Sequence, residues 1–249
     1  MPSEHGGWGL TAESVILGLL VAPSVAGVAL GFAALIAFVA RTPIMVVLVD
    51  RWRHRRLPRT RLAARVGSTE LLVLGALVAL VALRSGREWW APLVAAGPLV
   101  AVEVWFDMLS RSRRLVPELC GAVGVSSVAA AIARAGGTGW SVAIGLWVVL
   151  AARSIACIPF ARAQVQRIKG HAARRWGSDL AQAAALAVII TGWAVGTVPL
   201  AAVAAVAVVG ALQLCWLRRP PPAVIVLGVT QLFIGVAVVL TAAAAIRLA

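Results

Sequence analysis

The 249-residue sequence is short of charge, of cysteine and of the motifs that mark common soluble enzymes. Charged residues make up 13% of the chain, whereas a soluble domain is about a quarter charged. The three cysteines, Cys120, Cys157 and Cys215, lie far apart in apolar segments and form no CxxC pair, so we interpret them as small buried hydrophobic residues. The sequence has no metal-ligand spacing, GxGxxG, phosphate-binding loop or GxSxG. The sequence therefore lacks the usual signatures of nucleotide-binding enzymes, serine hydrolases and structural zinc sites.

Apolar runs long enough to cross a membrane recur along the chain. Hydrophobic residues make up 61% of it, and an apolar run of about 18 residues or more is typical of a spanning helix. We therefore predict an all-α, polytopic transmembrane helical bundle that forms a single domain over residues 1–249. Charged or Gly/Pro-rich breaks divide it into about nine spans. These are 8–22, 24–49, 67–84, 91–107, 115–134, 139–160, 179–197, 199–217 and 223–246, although the first two could instead form one kinked helix.

Basic residues are unevenly distributed between the two sets of loops. Of the 23 Lys and Arg residues, seventeen lie in the loops after spans two, four, six and eight, and only four lie on the other side. Basic loops stay in the cytoplasm, so we expect a multi-pass protein of the cytoplasmic (inner) membrane with these loops inside. The first fourteen residues contain no Lys or Arg, so we expect no cleavable signal peptide. The net charge of +14 lies in short loops, which favours an anionic membrane surface or ligand as partner and not nucleic acid.

Ionisable side chains also occur inside the predicted spans, where an unpaired charge is costly. They are Glu13, Arg41, Glu103, Asp107, Glu118 and Arg153. Glu103 and Asp107 are four residues apart and share a helix face, which Arg111 continues. Two interpretations stay open. Either the groups pair between helices, Glu13 or Glu118 with Arg41 or Arg153, or they line a polar cavity that faces the cytoplasm.

The stretch VDRWRHRRLPRTRLAAR, residues 49–65, contains seven arginines and one aspartate, Asp50. Its charge serves to orient the protein, but guanidinium groups also bind phosphate or carboxylate in bidentate fashion. His54 and His171 lie in basic loops and are expected to be solvated. His5 is followed by Gly6-Gly7, which let a neighbour or ligand approach closely, although a histidine near an interface is more often a surface group.

Four segments resemble one family of membrane proteins. They are PSEHGGWGL, FVARTPIMVVLVDRWRHRRLPRTRLA, LVPELCGA and ARSIACIPFARAQVQR. The first is similar to the opening motif of the YwiC-like integral membrane proteins, the second to that family's next motif, and the other two to its later blocks. This resemblance extends over most of the chain and implies no settled biochemical activity.

A more distant resemblance is to the UbiA-type intramembrane prenyltransferases, whose fold is a nine-span helical bundle. Those enzymes carry aspartate-rich motifs after spans two and six, which hold Mg²⁺ against a diphosphate. Here the corresponding stretches are LVDRWRHRRLPRTR and FARAQVQRIKGHAARRWG, in which Asp50 is the only carboxylate. We therefore expect no cofactor and no metal site, and Mg²⁺ in particular is not expected because it lacks its ligands. Direct basic contacts would hold the anion instead.

We expect the protein to bind an anionic amphiphile, such as a polyprenyl phosphate or diphosphate, a quinone precursor or a lipid headgroup. The predicted anion-binding residues are Arg41, Asp50, Arg53, Arg59, Arg61, Arg153, Arg162, Gln166 and Lys169. Asp50 would orient nearby arginines, and Arg41 and Arg153 would shape an inner pocket with His5, Glu13 and Glu118. If the protein is an enzyme, a divergent UbiA-like prenyl or lipid transferase is expected, with His5, Glu13 or Glu118 as general base.

Two other functions stay open on sequence grounds. A permease for a small anion would use the same cavity but would also need an outward path, and the inverted repeat common in transporters is not evident. A non-catalytic membrane assembly factor would use the intramembrane charges only to hold helices together, with a protein partner that the sequence does not identify.

Overall fold

The computed structural model describes residues 5–55, 57–86, 88–111, 113–171 and 175–248, with side chains from Gly7 onward. This part of the chain is helical and contains no strand. The helices are α1 (His5–Val21), α2 (Val25–Trp52), α3 (Pro58–Arg84), α4 (Ala91–Met108), α5 (Leu115–Ala135), α6 (Trp140–Ile168), α7 (Arg175–Ala194), α8 (Leu200–Leu217) and α9 (Val224–Leu248). Each predicted span corresponds to one of them, and the prediction of an all-α membrane bundle is confirmed.

Seven of these helices, α2–α6, α8 and α9, are long and apolar enough to cross a membrane. The two others are shorter or less apolar. Helix α1 is apolar but has only 17 residues. Helix α7 is outside the seven because its first two turns, RWGSDLAQ, are polar. The open question about the first two spans is resolved, since Ala22–Ser24 is non-helical and separates α1 from α2.

The observed helix boundaries differ most from the predicted span limits at the helix ends that carry basic residues. Helix α3 begins at Pro58, nine residues before the predicted start at 67. Proline at the first helical position is favourable because its missing N–H would be unpaired there anyway. Helix α6 likewise continues to Ile168 instead of ending at 160. Arg59, Arg61 and Arg162 therefore lie on helices, because the apolar run marks only the part of a helix that faces lipid.

The chain divides into two compact units, Met1–Thr138 and Gly139–Ala249. In the first unit, α5 packs against α1, α2 and α4, while α2 also packs against α1, α3 and α4. Its core includes Leu30, Val81, Trp89 and Ile132, together with alanines of α2 and α5. Small side chains let helices approach closely, which is the main source of packing energy between helices in lipid.

In the second unit, α6 packs against α7, α8 and α9. Helix α8 also packs against both α7 and α9. Phe160, Ala163, Leu217 and Leu227 form a buried cluster there. The prediction of a single transmembrane domain stays a prediction.

Candidate functional site

The turn between α2 and α3 is organised by the buried carboxylate of Asp50. Arg59 donates from Nη2 and Nε to the two oxygens of Asp50, at 2.9 and 3.3 Å, and Thr60 Oγ1 donates to Oδ2 at 2.6 Å. Asp50 is only 1% exposed, whereas the Arg59 side chain is 64% exposed. A carboxylate beside the first turn of α3 is also favourable because the positive end of the helix dipole lies there. Asp50 thus fixes the direction of one arginine at the surface.

A second bond connects this turn to the one that follows α4. Arg53 Nη2 donates to Ser110 Oγ at 2.8 Å. His54 and Ser110 both have left-handed backbone conformations, with φ of 53° and 56°, which sharply reverse the chain where each helix ends. The arginine-rich turns after α2 and α4 therefore lie together at one end of the first unit.

An open groove lies beside these turns, with a volume of about 470 Å³. Residues from the ends of α2 and α4 line it, namely Leu48, Arg51, Trp52, His54 and Met108. Trp52 contacts Trp105 edge-to-face, with ring centroids 5.9 Å apart, an arrangement that holds both indoles in place. We call this feature the α2–α4 groove; its lining combines the basic side chains of Arg51 and His54 with the apolar side chains of Leu48, Trp52 and Met108.

Deeper in the first unit, one arginine binds two carboxylates. Arg41 Nη2 on α2 lies 2.8 Å from Glu103 Oε1 and 2.5 Å from Asp107 Oδ2, both on α4. The Glu103 carboxylate in turn lies against Gly121 of α5, where a Cβ atom would overlap it. The cluster therefore joins α2 and α4, and a side chain at position 121 of α5 would displace the Glu103 carboxylate.

The polar residues of the second unit form a different arrangement. Arg153, 4% exposed, donates from Nη2 to the backbone oxygen of Gln231 at 2.9 Å and from Nη1 to Cys157 Sγ at 3.2 Å. Gln182 Nε2 donates to Gln213 Oε1 at 2.8 Å, and Gln213 Nε2 donates to Gln231 Oε1 at 3.2 Å. A chain of three amides thus links α7, α8 and α9, and Arg153 links α9 to α6.

The comparisons with known proteins concern mainly the first unit. Residues 1–133 match the YwiC-like protein family, which is more than half of the chain. The protein belongs to the YwiC-like family. No curated protein and no solved structure matches it, so the UbiA-like part of the expected fold stays a prediction. The family region of this YwiC-like protein extends from α1 almost to the end of α5 and includes Arg41, Asp50 and the α2–α4 groove.

The sequence-predicted site residues of this YwiC-like protein fall into both units. In the first unit, Glu13 is buried, Glu118 is half-buried, and Arg53, Arg59 and Arg61 are exposed. His5 is the first residue of α1, and its side chain lies outside the described residues. In the second unit, Arg162 is half-buried, and Gln166 and Lys169 are exposed near the end of α6. Among the first-unit residues, the structure brings together Arg41 with its two carboxylates, and Asp50 with Arg59.

Sequence reasoning missed the residues that line the α2–α4 groove. Arg51 was not selected as an anion-binding residue. His54 was interpreted only as a solvated loop residue; it is exposed, as expected, and it lines the groove together with Arg51. One signal was readable: Trp52 stands between two arginines at the end of an apolar span, where amphipathic rings favour the interface. The three glutamines of the amide chain, Gln182, Gln213 and Gln231, were also missed, because they lie far apart in the sequence.

Among the described residues, no group of three or more His, Cys, Asp or Glu side chains could hold a metal ion. Glu103 and Asp107 are the paired carboxylates of the first unit, and both are bound to Arg41. A guanidinium occupies the space where such a pair would accept a cation. The absence of a metal or other cofactor from the functional form stays a prediction.

Proposed function

We propose that this YwiC-like membrane protein binds an anionic amphiphile in the α2–α4 groove. The observation that carries this proposal is the composition of the groove, which combines Arg51 and His54 with Leu48, Trp52 and Met108. A phosphate or carboxylate group would bind beside the two basic side chains. An isoprenoid or acyl chain would follow the apolar side chains toward the lipid.

Arginine suits the headgroup because its planar fork donates two parallel hydrogen bonds to phosphate. Charge-assisted bonds of this kind are stronger than neutral ones, and low local polarity at a membrane interface strengthens them further. Exposed arginines of the same α2–α3 connection and of the first turn of α3 would raise the local concentration of anions. They include Arg53, which Ser110 holds in place, and Arg59, which Asp50 holds in place.

The remaining predicted residues enter the proposal as second-unit or inner contacts. Arg162, Gln166 and Lys169 would contact an anion at the end of α6, while Arg41 and Arg153 would shape polar surroundings in their own units. In this proposal the ligand is a polyprenyl phosphate or diphosphate, a quinone precursor or a lipid headgroup, and metal is not required. If turnover occurs, His5, Glu13 or Glu118 would serve as base in a transferase reaction.

The test is retention of ligand by the purified protein. The natural chain and the Arg51→Gln/His54→Gln variant are purified in mild detergent, and bound lipids are extracted and identified by mass spectrometry. We expect an anionic amphiphile to be retained by the natural chain and reduced about tenfold in the variant, since loss of a charged contact costs more than 1.4 kcal/mol. Arg65→Gln is the matched control, because it removes an exposed arginine of α3 that is not part of the groove.

Chelator distinguishes the metal-free site from a magnesium site. Retention in the presence of EDTA is expected, and a strict requirement for Mg²⁺ would contradict the proposal. Equal retention by the natural chain and by the groove variant would also refute it.

The orientation in the membrane is part of the same proposal, with the α2–α3 turn in the cytoplasm of the cell. The asymmetry of basic loops supports this orientation. It is tested by labelling single cysteines in intact cells with a reagent that does not cross membranes, after the three natural cysteines are replaced by alanine. Gly86→Cys should react from outside, and Arg61→Cys should react only after the cells are opened; the reverse pattern would mean the opposite orientation.

A further inference from the structure

A cleft of about 460 Å³ lies at the other end of the first unit. The α3–α4 connection and the end of α5 line it, through Arg84, Ser85, Gly86, Glu88, Arg134, Ala135, Gly136 and Gly137. Helix α3 has 27 residues, so its two ends are about 40 Å apart at 1.5 Å per residue. This feature, the α3–α5 cleft, is therefore distant from the α2–α4 groove and close to the opposite surface of a membrane that α3 crosses.

One arginine of the cleft is fixed by two short hydrogen bonds. Arg134 donates from Nη2 to Glu88 Oε2 and from Nη1 to the backbone oxygen of Thr138, both at 2.6 Å. The side chain is 18% exposed. Next to Glu88, Trp89 is 9% exposed and packs into the core of the unit. The core thus anchors the connection that carries Glu88, and the position of the guanidinium is set before any ligand arrives.

The second arginine of the cleft is available to a ligand. Arg84 is exposed and makes no hydrogen bond or ion pair with the part of the chain that the structure describes. Gly137 borders the space with φ of 87°, and a side chain added there would meet nothing within 4 Å. The cleft therefore combines one pre-positioned guanidinium, one free guanidinium and open volume, which suits an anion with several acceptor oxygens.

Orientation of the protein does not explain these two arginines. Topology is set by basic residues in the loops that stay inside, and only four of the 23 Lys and Arg residues were assigned to the other side, namely Arg84, Arg87, Arg134 and Arg247. Two of those four line the same cleft. Glu88 also lines the cleft and offsets the charge of Arg134, so the net positive charge of the cleft comes from Arg84. A charge of this kind, where the sequence otherwise has few basic residues, indicates a local role.

Apolar surface next to the cleft suggests the source of the anion. Leu83 precedes Arg84 and is 83% exposed, while Trp90 follows the connection and is 49% exposed. Exposed leucine faces lipid, and tryptophan favours the level of the headgroups. We propose that the α3–α5 cleft binds the phosphate group of an anionic phospholipid, with Arg84 and Arg134 as its ligands and the acyl chains beside Leu83.

The experiment uses the full chain in detergent and dioleoylphosphatidylglycerol as the probe, with lipid occupancy read by native mass spectrometry. Arg84→Gln is expected to weaken binding at one site about tenfold, the cost of one charged contact. Arg134→Gln should weaken binding to a similar extent. If loss of the Arg134–Glu88 bond prevents folding, the Arg84→Gln variant alone still tests the proposal. The matched control is Arg247→Gln, in the last turn of α9, which should bind the lipid normally.

The same measurements in the Arg51→Gln/His54→Gln background separate this cleft from the α2–α4 groove. Loss of one bound lipid with Arg84→Gln in both backgrounds supports the cleft, whether or not the groove binds anything. Binding of dioleoylphosphatidylcholine and of inorganic phosphate is measured in the same way, to distinguish a phospholipid from a free anion as the source of the phosphate group. Arg84-dependent binding of inorganic phosphate, without binding of the lipid, would overturn the assignment to a phospholipid and identify a site for a free anion. Binding of both lipids and of phosphate that is unchanged by Arg84→Gln would overturn the proposal.

Discussion

Arg41 on α2 and Asp107 on α4 are joined by a hydrogen bond of 2.5 Å between Nη2 and Oδ2. The same nitrogen lies 2.8 Å from Glu103 Oε1, so a single guanidinium connects two helices through two carboxylates. The side chains are 29% exposed for Arg41 and 9% exposed for Asp107. Of the two sequence interpretations, interhelical pairing therefore describes these contacts of Arg41, and Glu103 and Asp107 are carboxylates that the sequence analysis had not paired with it.

We expect Arg41→Gln to destabilise the protein by about 2 kcal/mol, because it leaves two partly buried carboxylates without their counter-charge. This cost lies between that of breaking an exposed salt bridge and that of breaking a fully buried one. The measurement is the free energy of unfolding in mixed micelles by titration with a denaturing detergent. Asp107→Asn should cost a similar amount. The double variant should cost less than the sum of the two, since the residues interact directly; strict additivity would contradict the pairing.

The helices were predictable because each apolar run is long and the breaks between runs are explicit. The shared face of Glu103 and Asp107 also followed from their spacing of four residues. The helix that supplies their partner did not, because pairing between α2 and α4 depends on tertiary packing. The early start of α3 at Pro58 was missed because Arg59, Arg61 and Arg65 interrupt the apolar pattern without interrupting the helix.

The candidate site was less predictable than the fold. The α2–α4 groove depends on the left-handed turn at His54, which a histidine adopts only occasionally and which no residue pattern announces. Gln182, Gln213 and Gln231 stand 31 and 18 residues apart, and no local periodicity links them. By contrast, Asp50 was expected to orient an arginine, and its bonds to Arg59 have the geometry of that role.

Gly121 should not tolerate a large side chain. A Cβ atom there would overlap the Glu103 carboxylate, and because this side chain can move a little, Gly121→Ala should cost about 1 kcal/mol while Gly121→Leu should cost about 3 kcal/mol or more. The matched control is Gly97→Ala on α4, where a Cβ atom meets nothing within 4 Å and better helix propensity should leave stability unchanged or slightly higher. Thermal unfolding of the detergent-solubilised protein provides the comparison; equal effects at both glycines would exclude the close approach of α4 and α5.

The amide chain of the second unit should contribute to its stability. Gln213→Leu removes the acceptor of the Gln182 bond and the donor of the Gln231 bond. We expect a loss of about 1–2 kcal/mol, because hydrogen bonds between membrane helices are individually modest and the variant breaks two. Gln166→Leu is the control, since Gln166 is exposed on α6 and its side chain should contribute little. Both variants are compared by denaturing-detergent titration, and a stabilising effect of Gln213→Leu would show that apolar packing outweighs the bonds.

Replacement of Arg167 by alanine or by lysine should lower the stability of the protein. Its Nη1 donates to the backbone oxygen of Leu217 at 2.8 Å and to Gln164 Oε1 at 2.9 Å, and its Nη2 donates to the backbone oxygen of Arg219 at 2.7 Å. Carbonyl groups at the end of a helix have no partners within it, and a basic side chain satisfies them and interacts favourably with the helix dipole. We expect Arg167→Ala to cost about 2 kcal/mol, since several charge-assisted bonds are lost together.

The Arg167→Lys variant separates the contribution of the planar guanidinium geometry from the contribution of the positive charge. A lysine keeps the interaction with the dipole but cannot donate from two nitrogen atoms in the fixed planar geometry of a guanidinium, so it should recover less than half of the lost stability. Hydrogen exchange measured by mass spectrometry should show faster exchange confined to the last turn of α8 and the residues that follow it. Full recovery by lysine would mean that charge alone holds α6 to the end of α8, and unchanged exchange in Arg167→Ala would mean that the three bonds do not stabilise this end of the helix.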